Sequence, residues 1–146
     1  MEKTQLRKLP IGIQDFEKLR TGDYLYIDKT EHIHSLVTSG SYYFLSRPRR
    51  FGKSLLMSTI HALFSGKKEL FEGLAIASKP DITWEMHPVL HLDLNTNNYD
   101  SKDVLAQKLN LFLSNQEKLY GDDPNEQTLG TRFEGVIHRA CEKTGK

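Results

Sequence analysis

A chain of 146 residues, 38% hydrophobic and 27% charged, has the makeup of one globular domain, and at this size folding buries roughly 68–70% of the unfolded surface, so a core forms without metal or disulfide staples. With 20 Lys and Arg against 19 Asp and Glu the formal net charge is +1, which excludes recruitment to nucleic acid or membrane by overall charge and leaves that task to a local cluster. The single cysteine, Cys141, has no internal partner, no apolar run approaches the roughly 18 residues of a membrane span, and the polar residues 1–8 lack the apolar stretch of a signal peptide; the expected location is the cytoplasm.

Residues 1–23 read as an N-terminal strap: an extended Leu9-Pro-Ile stretch runs into a short amphipathic helix carrying Phe16 and Leu19. Gly22-Asp23 makes a turn, and Tyr24-Leu-Tyr-Ile27 has the aromatic and β-branched character of a strand. Asp28 and Glu31 stand three apart, as a helix cap with a partner carboxylate, and Ile33, Leu36 and Val37 then share one face up to Gly40. Tyr42-Tyr-Phe-Leu45 is a second strand candidate, and residues 42–66 read as strand, loop and helix. In that helix Leu56, Ile60, Leu63 and Phe64 recur at the helical period, with Gly66 at its C-terminal cap. Leu70, Phe71, Leu74 and Ile76 anchor a short helical piece in the connection that follows, where Trp84 is a further anchor.

Val89-Leu-His-Leu-Asp-Leu94 is near-continuously apolar, as in the interior of a parallel sheet, and leads into a turn at Asn95-Thr-Asn-Asn98. Two helices follow. Residues 101–120 set Leu105, Leu109, Phe112 and Leu113 on one face; residues 129–143 set Leu129, Phe133, Val136, Ile137, Ala140 and Cys141 in one stripe, which makes Cys141 a core residue. The alternation predicts an α/β fold, a three-layer sandwich around a mainly parallel sheet. In such a chain a helix returns the chain for another parallel strand, and none follows the last helix, so the 146 residues read as the first part of a longer domain.

Phe51-Gly52-Lys53-Ser54 closes a loop between a predicted strand and a predicted helix, the context of a G-x-x-x-x-G-K-[ST] phosphate loop. Gly52 would let the backbone approach a phosphate. Lys53 would reach the β- and γ-phosphates as the catalytic cation, and the Ser54 hydroxyl would bind Mg²⁺. Backbone N–H groups at the helix start complete an anion site. The position of the first glycine holds Arg47 instead, which breaks the consensus. Arg47, Arg49 and Arg50 add a positive patch that the net charge hides; it would contact phosphate oxygens bidentately, serve the nucleotide of a neighbouring subunit, or bind a nucleic-acid backbone. A solvated turn is the bland alternative.

Leu9-Pro-Ile-Gly-Ile-Gln-Asp-Phe16, Tyr26-Ile-Asp-Lys-Thr30 and above all Ser46-Arg-Pro-Arg-Arg-Phe-Gly-Lys-Ser-Leu55 resemble the bacterial AAA-ATPase-like proteins of the P-loop class, whose longer members often end in a PD-(D/E)XK nuclease-like domain. The family's phosphate loop reads R-P-R-R-F-G-K-S, so Arg47 looks like a family trait. The resemblance runs from Leu9 to the terminal helix and implies a P-loop sandwich, with ATP and Mg²⁺ as ligands. Its nucleotide-binding residues would be Arg47, Pro48, Arg49, Arg50, Phe51, Gly52, Lys53, Ser54 and Leu55. It also implies that the Walker B strand, ending in an Asp-Glu pair, comes after the helix resembling residues 133–145, so that the catalytic acid lies beyond this chain and turnover here is weak or absent.

Asp93 stands at the end of an apolar run, where ligands gather in α/β sheets, and is a second candidate for Mg²⁺. His91 interrupts that run and Leu94 stands where a water-orienting glutamate belongs, which favours a capping or turn role. Asp28-Lys29-Thr30 reads as a helix cap with a solvated lysine, with a nucleotide role as its alternative. His87 and His91 are four apart, but Pro88 and the strand character between them argue against zinc. Two other functions stay open: a non-enzymatic module in which the arginine cluster holds nucleic acid or another anionic partner, and a homo-oligomer joined through an uncovered sheet edge and the stripe of the last helix.

Overall fold

The computed structural model describes residues 7–94 and 101–146, which leaves the predicted turn at Asn95 to Asn98 outside the described residues. They fall into two compact units, Met1–Met86 and His87–Lys146.

The first unit contains three helices, α1 (Phe16–Thr21), α2 (Thr30–Ser39) and α3 (Lys53–Phe64), and two 3-10 turns at Lys68–Phe71 and Ala75–Ser78. Asp15 caps α1 by accepting from the Lys18 N–H at 2.8 Å. The 3.6-residue pattern puts Phe16, Ile33, Ala62 and Leu63 inward, where they meet Leu70, Phe71, Leu74 and Ile76 from the two turns. Aromatic rings tie this core together: Phe71 lies 4.9 Å from Phe16 and 5.2 Å from Trp84, and Tyr26 meets Phe16 edge-on at 5.3 Å.

Polar contacts fix how these pieces meet. The Phe16 N–H donates to Ser58 Oγ at 2.8 Å, joining α1 to α3. Arg20 donates from Nε to the Leu70 carbonyl and from Nη2 to the Glu72 carbonyl, both at 2.7 Å, and so holds the first 3-10 turn. Asp28 and Thr30 hold the second. Asp28 Oδ1 accepts from the Thr30 N–H at 2.8 Å and the Thr30 hydroxyl at 2.7 Å, and Oδ2 accepts from the Ala75 N–H at 2.7 Å. The Thr30 hydroxyl oxygen in turn accepts from the Ile76 N–H at 3.1 Å. Burial by itself would raise the Asp28 carboxyl, but the hydrogen bonds from Thr30 and Ala75, with the nearby Arg20 charge, outweigh it and hold the group below its usual range. The Asp28-Lys29-Thr30 motif is thus a tertiary clamp as well as the entrance to α2. Glu31, expected to complete a cap, pairs with Lys79 instead.

No strand forms among the described residues, which are 53% helical, so the predicted α/β sandwich with a mainly parallel sheet is not the fold of this chain. Tyr24 to Ile27, Tyr42 to Leu45 and Val89 to Leu94 all lack a ladder, and what remains is a single parallel bridge between Lys8 and Tyr24. A β-forming sequence becomes a strand only when a neighbour pairs its N–H and C=O groups, because β-propensity measures fit to a sheet and not a local preference. Without such a neighbour Tyr42 is 97% and Phe44 94% exposed. The expected oligomer contact through a sheet edge loses its basis with the sheet.

In the second unit α4 (Lys102–Tyr120) and α5 (Leu129–Thr144) pack together. Ser101 caps α4 and a Thr128–Thr131 capping box opens α5. The buried stripe is narrower than the periodicity suggests: Leu113, Val136 and Ala140 are buried, whereas Phe133 and Ile137 are partly exposed and Cys141, expected in the core, is exposed. Cations of α5 complete the contact. Arg132 donates to both carboxylate oxygens of Glu117 at 2.7 Å, to Asn110 Oδ1 at 2.6 Å and to Ser114 Oγ at 3.0 Å. Arg139 pairs with Glu126, and Lys143 donates to the Leu119 carbonyl at 2.7 Å. No helix among the described residues is long and apolar enough to cross a membrane.

Two outcomes follow from these contacts. Thr30→Val adds a buried methyl worth about 0.8 kcal/mol but leaves the Ile76 N–H without its acceptor, a penalty of about 1–3 kcal/mol, so denaturant titration should show a net loss of up to about 2 kcal/mol. In the second unit, the hydrogen bond from Arg132, together with its charge, holds the Glu117 carboxyl below its usual range. A depressed acid stabilises the fold above its unfolded pKa and loses that contribution as pH falls through the folded value. Glu117→Gln should therefore cost about 1–2 kcal/mol at neutral pH, and the difference from wild type should close as pH falls through the lowered folded-state pKa of Glu117.

Candidate functional site

The loop between Leu45 and α3 is built by four local constraints. Pro48 fixes its own φ and biases Arg47 toward extended backbone. The chain then turns at Arg49 and Arg50, with Arg50 at φ 67°, in the left-handed region that costs a residue with a Cβ roughly 1–2 kcal/mol. Gly52, at φ 75°, takes the same region without that penalty and serves as the N-cap of α3. Lys53, the first helical residue, folds back across the loop and donates from Nζ to the Arg47 carbonyl at 2.7 Å.

The start of α3 carries no side-chain cap. The first helical hydrogen bond there runs from the Leu56 N–H to the Gly52 carbonyl at 2.9 Å, so the preceding amides of Lys53, Ser54 and Leu55 are the orphan donors that every helix start presents, with the positive end of the helix dipole behind them. A Cβ built on Gly52 would meet nothing within 4 Å, so the glycine itself borders open space. The Ser54 side chain is exposed and makes no hydrogen bond among the described residues, so its hydroxyl remains available to a ligand. The side chains of Arg47, Arg49 and Arg50 are likewise exposed, without a hydrogen bond or ion pair among the described residues. Leu55 turns its side chain to the core and Phe51 is 65% exposed.

Residues 47 to 55, all predicted as one site, thus lie in one continuous loop and helix start in the first unit. Asp93, the second candidate for Mg²⁺, belongs to the other unit, in an exposed stretch that is not a strand. Its expected setting, the C-terminal end of a sheet strand, is absent. Sequence reasoning did not find the contact between Lys53 and the Arg47 carbonyl; the six-residue spacing across a Pro-initiated turn is the signal that carries it. It also missed the pair of His34 with Asp81, where Nε2 lies 2.8 Å from Oδ2 and the hydrogen bond from His34 draws the Asp81 carboxyl below its usual range. Among the described residues no group of three or more His, Cys, Asp or Glu is placed to hold a metal ion.

The chain is 40% identical over 136 residues, 92% of its length, to an "Uncharacterized protein in vnfD 5'region" of Azotobacter chroococcum mcd 1. It spans about a quarter of that relative, 26%. No solved structure matches it. The profile of the family described as "Predicted AAA-ATPase" matches residues 10–146, nearly the whole chain and all of the loop and helix start described above, and the chain therefore belongs to this AAA-ATPase-like family.

Proposed function

We propose that the chain binds a nucleoside triphosphate, ATP, with Mg²⁺ through the loop of residues 47 to 55, a variant Walker A element. The observation that carries this reading is the uncapped start of α3 behind Gly52, with open space beside that glycine and the Lys53 ammonium drawn over the loop onto the Arg47 carbonyl. Backbone amides and a helix dipole aimed at one place suit a phosphate, as does a lysine that has two further N–H donors to give. The amides of Gly52, Lys53, Ser54 and Leu55 would hold the phosphates, and the Ser54 hydroxyl would be a ligand of the Mg²⁺ that the phosphates bring. Membership of a family described as predicted AAA-ATPases supports the same ligand. Bound Mg²⁺ would neutralise phosphate charge; the protein's own contribution is to orient the chain of phosphates and exclude water along one side of it.

The exposed arginines also support a second reading, in which Arg47, Arg49 and Arg50 hold nucleic acid, with Tyr42, Phe44 and Phe51, exposed in the same stretch of chain, available for base stacking. Under that reading an oligonucleotide binds without ATP and its affinity falls steeply with salt.

Thermal unfolding with and without Mg²⁺-ATP tests the first reading. At about 100 times Kd the ligand stabilises by roughly 2.7 kcal/mol, which raises the midpoint by at least about 5 °C. Lys53→Ala should remove most of this rise, and Ser54→Ala should remove the part that depends on Mg²⁺. A wild-type midpoint unmoved by Mg²⁺-ATP contradicts the proposal.

A further inference from the structure

We infer that the connection between α4 and α5, residues 121 to 128, is a strap that closes on α5 and opens as a unit. Glu126 fastens it, Arg139 holds the fastening, and Gly135 is the seat that admits it.

Three observations lead there. The Glu126 carboxylate lies directly on the backbone of α5: a Cβ built on Gly135 would overlap its carboxyl carbon and both its oxygens, so only glycine leaves room for it. One turn further along the helix, Arg139 donates from Nη1 and Nη2 to the two Glu126 oxygens at 2.6 and 3.0 Å, and from Nε to the Gly121 carbonyl at 3.0 Å. A single guanidinium thus joins the end of α4 and the far part of the strap to α5, and the pair is mostly shielded from water, with side-chain exposures of 21% for Arg139 and 17% for Glu126. Between these anchors, residues 122 to 125 are exposed and the chain folds on itself: Asp123 accepts from the Asn125 N–H through Oδ1 at 2.9 Å and from the Glu126 N–H through its carbonyl at 3.0 Å.

Glycine inside a helix weakens it relative to alanine, so Gly135 calls for a reason, and the carboxylate resting on it is one. The other glycine of α5 shows the contrast. A Cβ on Gly130 would meet the Thr128 hydroxyl oxygen at 3.8 Å, an ordinary contact. A methyl group at position 135 pushes the flexible Glu126 side chain aside and so breaks the geometry in which both oxygens meet the guanidinium. The helix pair tolerates that movement, because Leu113, Val136 and Ala140 are buried and Arg132 pairs with Glu117 whether or not the strap is fastened. The strap does not tolerate it. A turn of this size keeps its own hydrogen bonds only while its ends are held, since ordering it otherwise costs more than two exposed bonds return. Opening is therefore a local event that leaves the helices in place.

Amide hydrogen exchange of the whole chain, followed by NMR at Asn125 and Glu126 with circular dichroism recording helix content, tests this. Gly135→Ala should keep the helix content of wild type or raise it, yet speed exchange at these two amides roughly tenfold. Glu126→Ala should speed exchange at Asn125 to the same extent, and adding Gly135→Ala to it should change nothing further. Gly130→Ala should leave both amides at the wild-type rate. If Gly135→Ala leaves Asn125 and Glu126 exchanging as in wild type, or speeds Asn125 just as much when Glu126 is already alanine, the inference is wrong.

Discussion

The hydrogen bond from the Lys53 ammonium to the Arg47 carbonyl is the contact around which the candidate site is organised. It closes a loop whose other turns are set by Pro48, by Arg50 and Gly52 in the left-handed region, and by the first amides of α3. A long, mobile side chain would ordinarily spend up to about 2 kcal/mol of rotamer entropy to be held in one place. Here that ordering is done before a ligand arrives, by a carbonyl that the same loop supplies. The lysine keeps two donors and the amides at the helix start keep theirs.

Such a loop is useful only if the helix behind it is held firmly, and the rest of the first unit does this. α3 buries Thr59, Ala62 and Leu63 and receives the α1 backbone at Ser58. α1 packs against it, and the core they share is completed by two 3-10 turns, which have weak internal hydrogen bonding and depend on outside support. Arg20 supplies that support to the first turn and the Asp28–Thr30 clamp to the second. The polar end of α3 and its apolar body therefore have separate tasks. One faces the loop without a cap; the other is fixed in a core whose turns are held by charged and hydroxyl groups of distant sequence.

The helices were legible in the sequence because their signals are local. Gly66 follows α3 at positive φ, and the two long helices end within a residue of where periodicity places them. The strands were not legible because a strand is a property of two segments. Tyr42 to Leu45 and Val89 to Leu94 carry the composition of sheet interiors, yet no neighbour pairs with them among the described residues. Asp28 shows a subtler limit. Its spacing to Glu31 suggested a cap, whereas its second oxygen reaches the Ala75 amide, 47 positions away, a partner that no local pattern reveals. Cys141 and Phe133 fit the helical period but sit at the edges of the stripe, where the period is right and the contact is absent. The candidate site needed no long-range information to be located, since its residues are consecutive.

The central claim is that phosphate is held by the amides at the start of α3 under the Lys53 ammonium. Amide NMR spectra recorded during titration with Mg²⁺-ATP address it residue by residue. The account predicts that the largest shifts fall on the N–H groups of Gly52, Lys53, Ser54 and Leu55, moving together with one saturation curve. Saturable binding that leaves these four amides unmoved while shifting others would contradict it.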